Sequence, residues 1–110
     1  MSEHRISIEQ FFHSKLAVGT VTEAEAIPKS NKLLKLTVDL GGESRVLVAG
    51  IAREYPTGEL VGRQVVVVTN LEPARLMGVE SQGMVLAASD GGRPVLLAPD
   101  QPVPDGTPVQ

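Results

Sequence analysis

The segment from Asn70 to Gln82 gathers side chains that are well suited to bind a ligand. Arg75 can donate paired hydrogen bonds to an anion, and Ser81 and Gln82 can donate to the same anion or to other polar groups. No nucleophile–base pair and no set of metal ligands accompanies them in the sequence. A polar loop between two apolar runs, without catalytic groups, is typical of a binding surface.

Each of these side chains also has a structural interpretation, which the sequence leaves open. Ser81 could bond to local backbone in a turn, and Asn70 could cap the end of a strand. Arg75 could be an ordinary solvated charge. Methionine more often fills gaps in a core, and we expect that role for Met84, whereas Met77 could either pack or contact a ligand.

Lysines form the densest basic cluster, at Lys29, Lys32 and Lys35. Leu34 and Leu36 should face the core, so Lys35 should point the other way. The cluster is either a contact for an anionic ligand or a solvated face, and the sequence does not decide between them. Three further arginines are scattered and are explained adequately by surface solubility: Arg45, Arg53 and Arg63.

A short helix is predicted over residues 7–15, where Ser7 serves as N-cap and Gln10 completes a capping box. Its apolar stripe includes Phe11 and Phe12, which we expect to be buried. Only 3% of the residues are aromatic, so a ligand would be held by backbone contacts and shape more than by stacking.

Apolar alternation and four consecutive valines predict five strands. They span residues 16–25, 33–40, 45–49, 63–69 and 84–88. Gly19 is expected to bulge or bend the first strand. A helical turn is predicted over 54–62, with Gly62 as its C-terminal stop. Turns are predicted at 41–42 and 90–92.

This order of elements predicts an all-β fold, a five-stranded OB-fold barrel with a short helix between strands 3 and 4. We expect a single domain, 1–110, in which 6–93 form the barrel and its N-terminal helix. Residues 94–110 hold five of the eight prolines together with apolar residues, which predicts a short strand at 95–97 and then an extended strap. A homodimer joined through the helix and the strap would cover the apolar surface that one barrel leaves exposed.

The composition excludes several classes of function. The chain has 110 residues, a net charge of −3 and no cysteine, so we expect no disulfide and a cytoplasmic location. No apolar run is long enough to span a membrane. His4 and His13 belong to no catalytic or metal-binding pattern. We therefore predict no enzymatic activity, no catalytic residue, no metal and no cofactor.

Four ordered blocks resemble the tRNA-binding domain family, which includes domains of bacterial methionyl-tRNA synthetases, stand-alone dimeric tRNA-binding proteins and endothelial monocyte-activating polypeptide. A secretion-chaperone-like branch shares the same domain. The resemblance covers residues 6–110, and its last block is closer to the tRNA-binding branches than to the chaperone-like one. The blocks are KLLKLTVDLG (32–41), AGIAREY (49–55), ELVGRQVVVVTNL (59–71) and LMGVESQGMVLAASD (76–90).

The resemblance implies an OB fold that binds tRNA by its structure, as a homodimer joined through the terminal extensions. It implies tRNA contacts at Lys32, Asn70, Arg75, Met77, Ser81, Gln82 and Met84, to which the outward position of Lys35 adds a further candidate. An aminoacyl-tRNA synthetase is a further expected partner. The starting methionine and the full-domain length favour a stand-alone protein over a synthetase fragment.

The chain departs from the family pattern by lacking positive charges. Ala17, Thr20, Glu72 and Ala74 stand where relatives carry basic residues. The departures should weaken phosphate binding, because phosphate contacts supply much of the affinity for nucleic acids. Together with the acidic balance, they favour an alternative function, a protein-interaction or secretion-chaperone-like module on the same fold.

Overall fold

The computed structural model describes residues 3–110, so the first two positions of the predicted 1–110 domain lie outside the described residues. The helices are α1 (Ile8–Phe11) and α2 (Thr57–Leu60). The strands are β1 (Leu16–Ala26), β2 (Leu34–Asp39), β3 (Ser44–Ala49), β4 (Gln64–Val68), β5 (Ala74–Leu76), β6 (Val79–Ser81), β7 (Met84–Val85), β8 (Ala87–Asp90), β9 (Arg93–Leu96) and β10 (Pro108–Val109).

Strand β1 lies at the centre of the main sheet, whose order is β3-β2-β1-β4-β7. Its first half pairs antiparallel with β4, and its second half pairs antiparallel with β2. The outer edge of β3 meets the segment after β6, where the Gln82 N–H donates to the Val46 carbonyl at 2.8 Å. This contact joins the two ends of the sheet into a nearly closed barrel, which confirms the predicted OB-type architecture.

The core follows the alternation of the sequence. Leu34, Leu36 and Val38 of β2 point into the barrel and are buried, while Lys35 points outward. All four valines of 65–68 are also buried, so both faces of β4 are covered. Burying side chains of this size contributes about 1.5–3 kcal/mol each, so these two strands supply much of the stability of the barrel.

Helix α1 begins as predicted but ends early. Ser7 and Gln10 form the predicted capping box. The helix stops at Phe11 because the backbone that follows is bound elsewhere: the Lys15 carbonyl accepts from the Thr69 N–H at 2.8 Å and so extends the pairing with β4. The prediction that Phe11 and Phe12 are buried is wrong, since they are 37% and 44% exposed.

Helix α2 is also shorter than the predicted 54–62. Pro56 occupies its N-cap position. The residue before a proline avoids the α conformation, so the helix cannot extend toward Glu54. Gly62 follows the helix with a φ of +91°, as expected of a glycine stop.

The irregularity in β1 lies elsewhere than predicted. The register with β2 shifts between Val21 and Glu23, not at Gly19. Gly19 instead allows a close approach of strands, because a Cβ there would lie 2.7 Å from the Asp39 carbonyl oxygen. A glycine in a strand can serve either purpose, and only the packing distinguishes them.

The predicted strand 84–88 is divided between two partners. Strand β7 pairs with β4, whereas β8 pairs with β9 in a separate hairpin turning at the predicted 90–92. The sequence also missed the hairpin of β5 and β6, which occupies the segment predicted to be a loop.

The C-terminal strap lies along the barrel. Gln64 and Val103 exchange two hydrogen bonds, 2.7 Å from the Gln64 Nε2 to the Val103 carbonyl and 3.1 Å from the Val103 N–H to the Gln64 Oε1. Thr20 donates its hydroxyl to Asp105. The chain ends as β10, which pairs Val109 with Leu16 at the start of β1.

Candidate nucleic-acid interface

The outward face of β2 and β3 is the frame of the candidate interface. Lys35 lies opposite Val48 in the register of these two strands, so both side chains share this face. Lys35, Val46 and Gln82 line one shallow cleft of about 380 Å³, together with the turn of the β5–β6 hairpin. The fold thus brings Lys35 and Gln82 together, as a common binding surface requires.

The charge around Lys35 is mixed. Glu80 lines the same cleft. Glu25 lies directly opposite Lys35 where β1 pairs with β2. Opposite charges on facing strands attract weakly at an exposed site. Lys35 is therefore a positive side chain within a partly acidic setting, and it supplies less attraction for a phosphate than its sequence cluster suggests.

Arg75 lies in the β5–β6 hairpin, opposite Glu80. Its Nη1 donates to the Gly78 carbonyl at 3.1 Å, across the turn of its own hairpin. Met77 and Gly78 form that turn with φ angles of +49° and +80°, as in the type I′ turns that connect two strands tightly. Arg75 is exposed, but part of its hydrogen-bonding capacity is used within the hairpin.

Ser81 is 4% exposed and belongs to the barrel closure. Its hydroxyl accepts from the Val48 N–H at 2.9 Å and donates to the Gly83 carbonyl at 3.0 Å. The geometry therefore favours the structural interpretation of Ser81. Gln82 is exposed beside it, and its Oε1 accepts from the Val46 N–H at 3.2 Å.

Asn70 joins two segments of backbone. Its Oδ1 accepts from the Lys15 N–H at 2.8 Å, and its Nδ2 donates to the His13 carbonyl at 2.6 Å. Both contacts fix the connection between α1 and β1, so its amide is occupied by the protein itself.

The two candidate methionines are exposed. Met77 is 54% exposed at the hairpin tip, where a left-handed backbone is uncommon for a side chain of this type. Met84 is 46% exposed, so the core role that we expected for it is wrong. It lines a small, largely apolar cleft of about 220 Å³ beside Val48 and Gly50.

Lys32 lies in a different cleft, of about 490 Å³, which it shares with two arginines. These are Arg53, after β3, and Arg93, at the start of β9. We attributed Arg53 to surface solubility and predicted no role for Arg93. Nothing in the linear sequence relates them, because three separate segments meet here only in the folded barrel. Gly50 lines both this cleft and that of Met84, so the two are adjacent.

Arg45, which we explained by solubility, has a structural role. It is half-buried, and its guanidinium donates to the carbonyls of Thr69 and Gln82 and to the Glu43 carboxylate. It thereby links the end of β4 to the closure of the barrel.

Among residues 3–110, no group of three or more His, Cys, Asp or Glu residues is placed to hold a metal ion. In the same part of the chain, no helix has the length and apolarity needed to cross a membrane.

A family model described as "Putative tRNA binding domain" matches residues 16–108. The chain belongs to this tRNA-binding domain family. The methionine–tRNA ligase of Methanosphaerula palustris is 55% identical over 109 residues, which cover 99% of this chain. The corresponding ligase of Methanothrix thermoacetophila is 59% identical over 101 residues, or 92% of the chain. The chain spans only 16% and 15% of these two relatives.

Solved structures of other proteins resemble nearly the whole of this chain. A MetRS-related protein from Pyrococcus horikoshii superposes with a TM-score of 0.93 at 38% identity, covering 98% of this chain and 100% of that one. The chaperone CsaA from Bacillus anthracis superposes with a TM-score of 0.88 at 33% identity, covering 97% and 100%. The resemblance found in the sequence is confirmed, but synthetase-related and chaperone proteins share the fold, so the fold alone does not choose a function.

Proposed function

We propose that this chain is a non-catalytic module that binds folded tRNA and acts as a homodimer, either alone or as part of a methionyl-tRNA synthetase. The observation that carries the proposal is a row of three clefts along β3, which we call the β3 band. At one end of β3, Lys35, Val46 and Gln82 line the first cleft. At the other end, the cleft of Met84 and the cleft of Lys32 lie side by side and share Gly50. OB folds bind oligonucleotides on this kind of sheet face.

The composition of the band indicates how RNA would be held. It offers lysines, an amide and a flexible methionine, and within residues 3–110 no aromatic ring lines any of its three clefts. RNA recognition would therefore rest on phosphate contacts and the shape of the folded molecule rather than on stacked bases. Such binding needs no catalytic group.

Within the sequence-predicted set, Lys32, Lys35, Met77 and Met84 remain our candidate RNA contacts. Gln82 also remains one through its Nε2, because only its Oε1 is bonded, to the Val46 N–H. Arg75 is a weaker candidate, because it is bonded to Gly78. For Asn70 and Ser81 we favour the structural role, since each already makes two hydrogen bonds within the protein.

The proposal is tested by measuring the affinity for folded tRNA at a series of salt concentrations. We expect log affinity to fall linearly with log salt, with a slope of roughly −0.7 to −0.9 per neutralised phosphate. Lys35→Gln should weaken binding and reduce the slope by about 1. Arg63→Gln is the matched control, because Arg63 is exposed, lies over the Tyr55 ring and lies outside the three clefts of the band. Absence of tRNA binding at low salt would refute the proposal.

A polypeptide-binding, chaperone-like module is the second candidate. The similarity to CsaA favours it, as does an apolar groove of about 460 Å³ between the barrel and the strap. Val18, Val66, Leu97 and Val109 contribute to this groove. Extended, unfolded polypeptides that bind at micromolar concentration, while tRNA does not, would support this function instead.

The proposed partners are tRNA, a second copy of the chain and an aminoacyl-tRNA synthetase. A cytoplasmic location follows from these partners. The relatives named as methionine–tRNA ligases support the link to a synthetase.

A further inference from the structure

The cleft that holds Lys32 is lined by more positive than negative side chains. It lies between the segment after β3 and the turn of the β8–β9 hairpin. Its charged lining consists of Lys32, Arg53, Arg93 and a single acid, Glu54, among residues 3–110. Three positive side chains thus line one cleft in a chain whose net charge is −3, and this local excess of positive charge favours an anion.

The three cations are available to a ligand. Arg53 and Lys32 make no side-chain hydrogen bond or ion pair within the described residues. Arg93 donates to Asp90 at 2.8 Å, but both side chains of this pair are more than half exposed. An exposed ion pair of this kind is weak, so a bound anion can replace Asp90 as the partner of Arg93 at little cost.

Two glycines leave room for the anion and position one of the cations. A Cβ on Gly50 would lie 3.3 Å from the Lys32 Cε, so the stem of Lys32 runs directly over this glycine. Gly92 has a φ of +89°, and a Cβ there would meet nothing within 4 Å. The stem of Lys32 therefore lies along the cleft at Gly50, and the space beside Gly92 is open.

We propose that Lys32, Arg53 and Arg93 form a phosphate-binding cleft that anchors one end of the RNA on the β3 band. The proposal rests on the proposed function, and it adds two arginines that neither the motifs nor the family resemblance identified. Arginine binds phosphate oxygens through paired N–H groups, whereas lysine contributes a compact point charge. The group that is bound is either a phosphodiester of the RNA backbone or a terminal phosphomonoester.

The first experiment compares wild type with the double variant Arg53→Gln/Arg93→Gln in the tRNA salt titration. We expect affinity to fall about tenfold or more and the salt slope to decrease by about 2, because each arginine that no longer neutralises a phosphate lowers the slope by about 1. Arg63→Gln serves again as control and should change neither quantity by a comparable amount. Unchanged affinity and slope in a double variant that unfolds like wild type would overturn the cleft assignment.

The second experiment does not depend on tRNA binding. Pyrophosphate is titrated into the ¹⁵N-labelled protein, and amide shifts are followed by NMR. Shifts concentrated at Gly50, Arg53 and Gly92 that disappear in the double variant would support the cleft; shifts elsewhere, or none, would overturn it. Localised shifts without tRNA binding would leave the cleft standing and refute the proposed function.

Short RNAs with a 5′-phosphate or a 5′-hydroxyl distinguish the two sources of the phosphate. If the phosphorylated RNA binds more tightly and the double variant loses this difference, the cleft binds the phosphate at a chain end. Equal binding of both RNAs, weakened equally in the double variant, assigns it to the backbone. Binding of both RNAs that the double variant leaves intact would contradict the proposal.

Discussion

The side chains of the 70–84 segment separate into two groups once their partners are known. Ser81 and Asn70 are engaged by the backbone of other segments and hold the barrel together. The two methionines remain accessible, and Gln82 is exposed while its Oε1 accepts from the Val46 N–H. A polar residue in a loop can serve either purpose, and its hydrogen-bond partners decide which.

Ser81→Ala tests the structural role of the Ser81 hydroxyl. The substitution leaves the Val48 N–H without its partner in a buried place, so the free energy of unfolding should fall by about 1–3 kcal/mol. Urea denaturation followed by circular dichroism measures this change.

Ser89→Ala is the matched control, because Ser89 is exposed in β8 and its hydroxyl makes no hydrogen bond within residues 3–110. It should change stability by less than about 0.5 kcal/mol. If Ser81→Ala were equally neutral while tRNA affinity fell, the structural role assigned to Ser81 would be wrong.

The strap is the element whose role depends most on close packing. Gly106 donates its N–H to the Val18 carbonyl at 2.7 Å, and it packs against the Leu40 carbonyl of the barrel. Its φ of +91° is a conformation that side chains rarely adopt. Backbone strain and lack of space thus act at the same residue.

Gly106→Ala and Gly62→Ala separate these two effects. Both glycines have a φ of +91°, but of the two only Gly106 has a carbonyl, that of Leu40, where a Cβ would collide. Gly62→Ala should cost about 1–2 kcal/mol from backbone strain alone. Gly106→Ala should cost more and loosen the strap, which denaturation and hydrogen exchange of the Thr107 amide would detect. Equal costs would show that the close packing of the strap contributes nothing.

For the whole molecule, the places where charged and apolar side chains lie bear more on binding than the net charge or the total apolar surface. The negative net charge argued against RNA binding, yet three cations meet in one cleft. The two ends of the chain also meet, because Leu16, just after α1, pairs with Val109 of the strap. Near the N-terminus, Ile8, Phe11 and Phe12 are exposed, and Val109 itself lines the apolar groove of the strap. This arrangement supports a dimer joined through both termini.

Phe12→Glu tests the dimer. A charge in the centre of an apolar interface should convert a dimer into a monomer, because the charge would have to be buried without a partner. Size-exclusion chromatography with light scattering at micromolar concentration measures the mass. Met77→Glu is the control, since Met77 is equally apolar and exposed but lies at the hairpin tip. A wild-type protein of monomer mass throughout this range would contradict the dimer.

The features that the sequence determined are those carried by neighbouring residues. The buried face of β2 follows from an alternation of period two, and the start of α1 follows from a cap and its partner three residues on. The family followed from four ordered blocks. Each of these signals is local, so each can be read without knowing which segments meet.

Only the tertiary structure decided which side chains are free and which cations converge. Phe11 and Phe12 became exposed because the chain after them is bound to β4, and Ser81 became buried because it closes the barrel. Lys32, Arg53 and Arg93 share a cleft because barrel closure brings three distant segments together. Burial and electrostatic convergence depend on distances in space, which the spacing of residues along the chain does not encode.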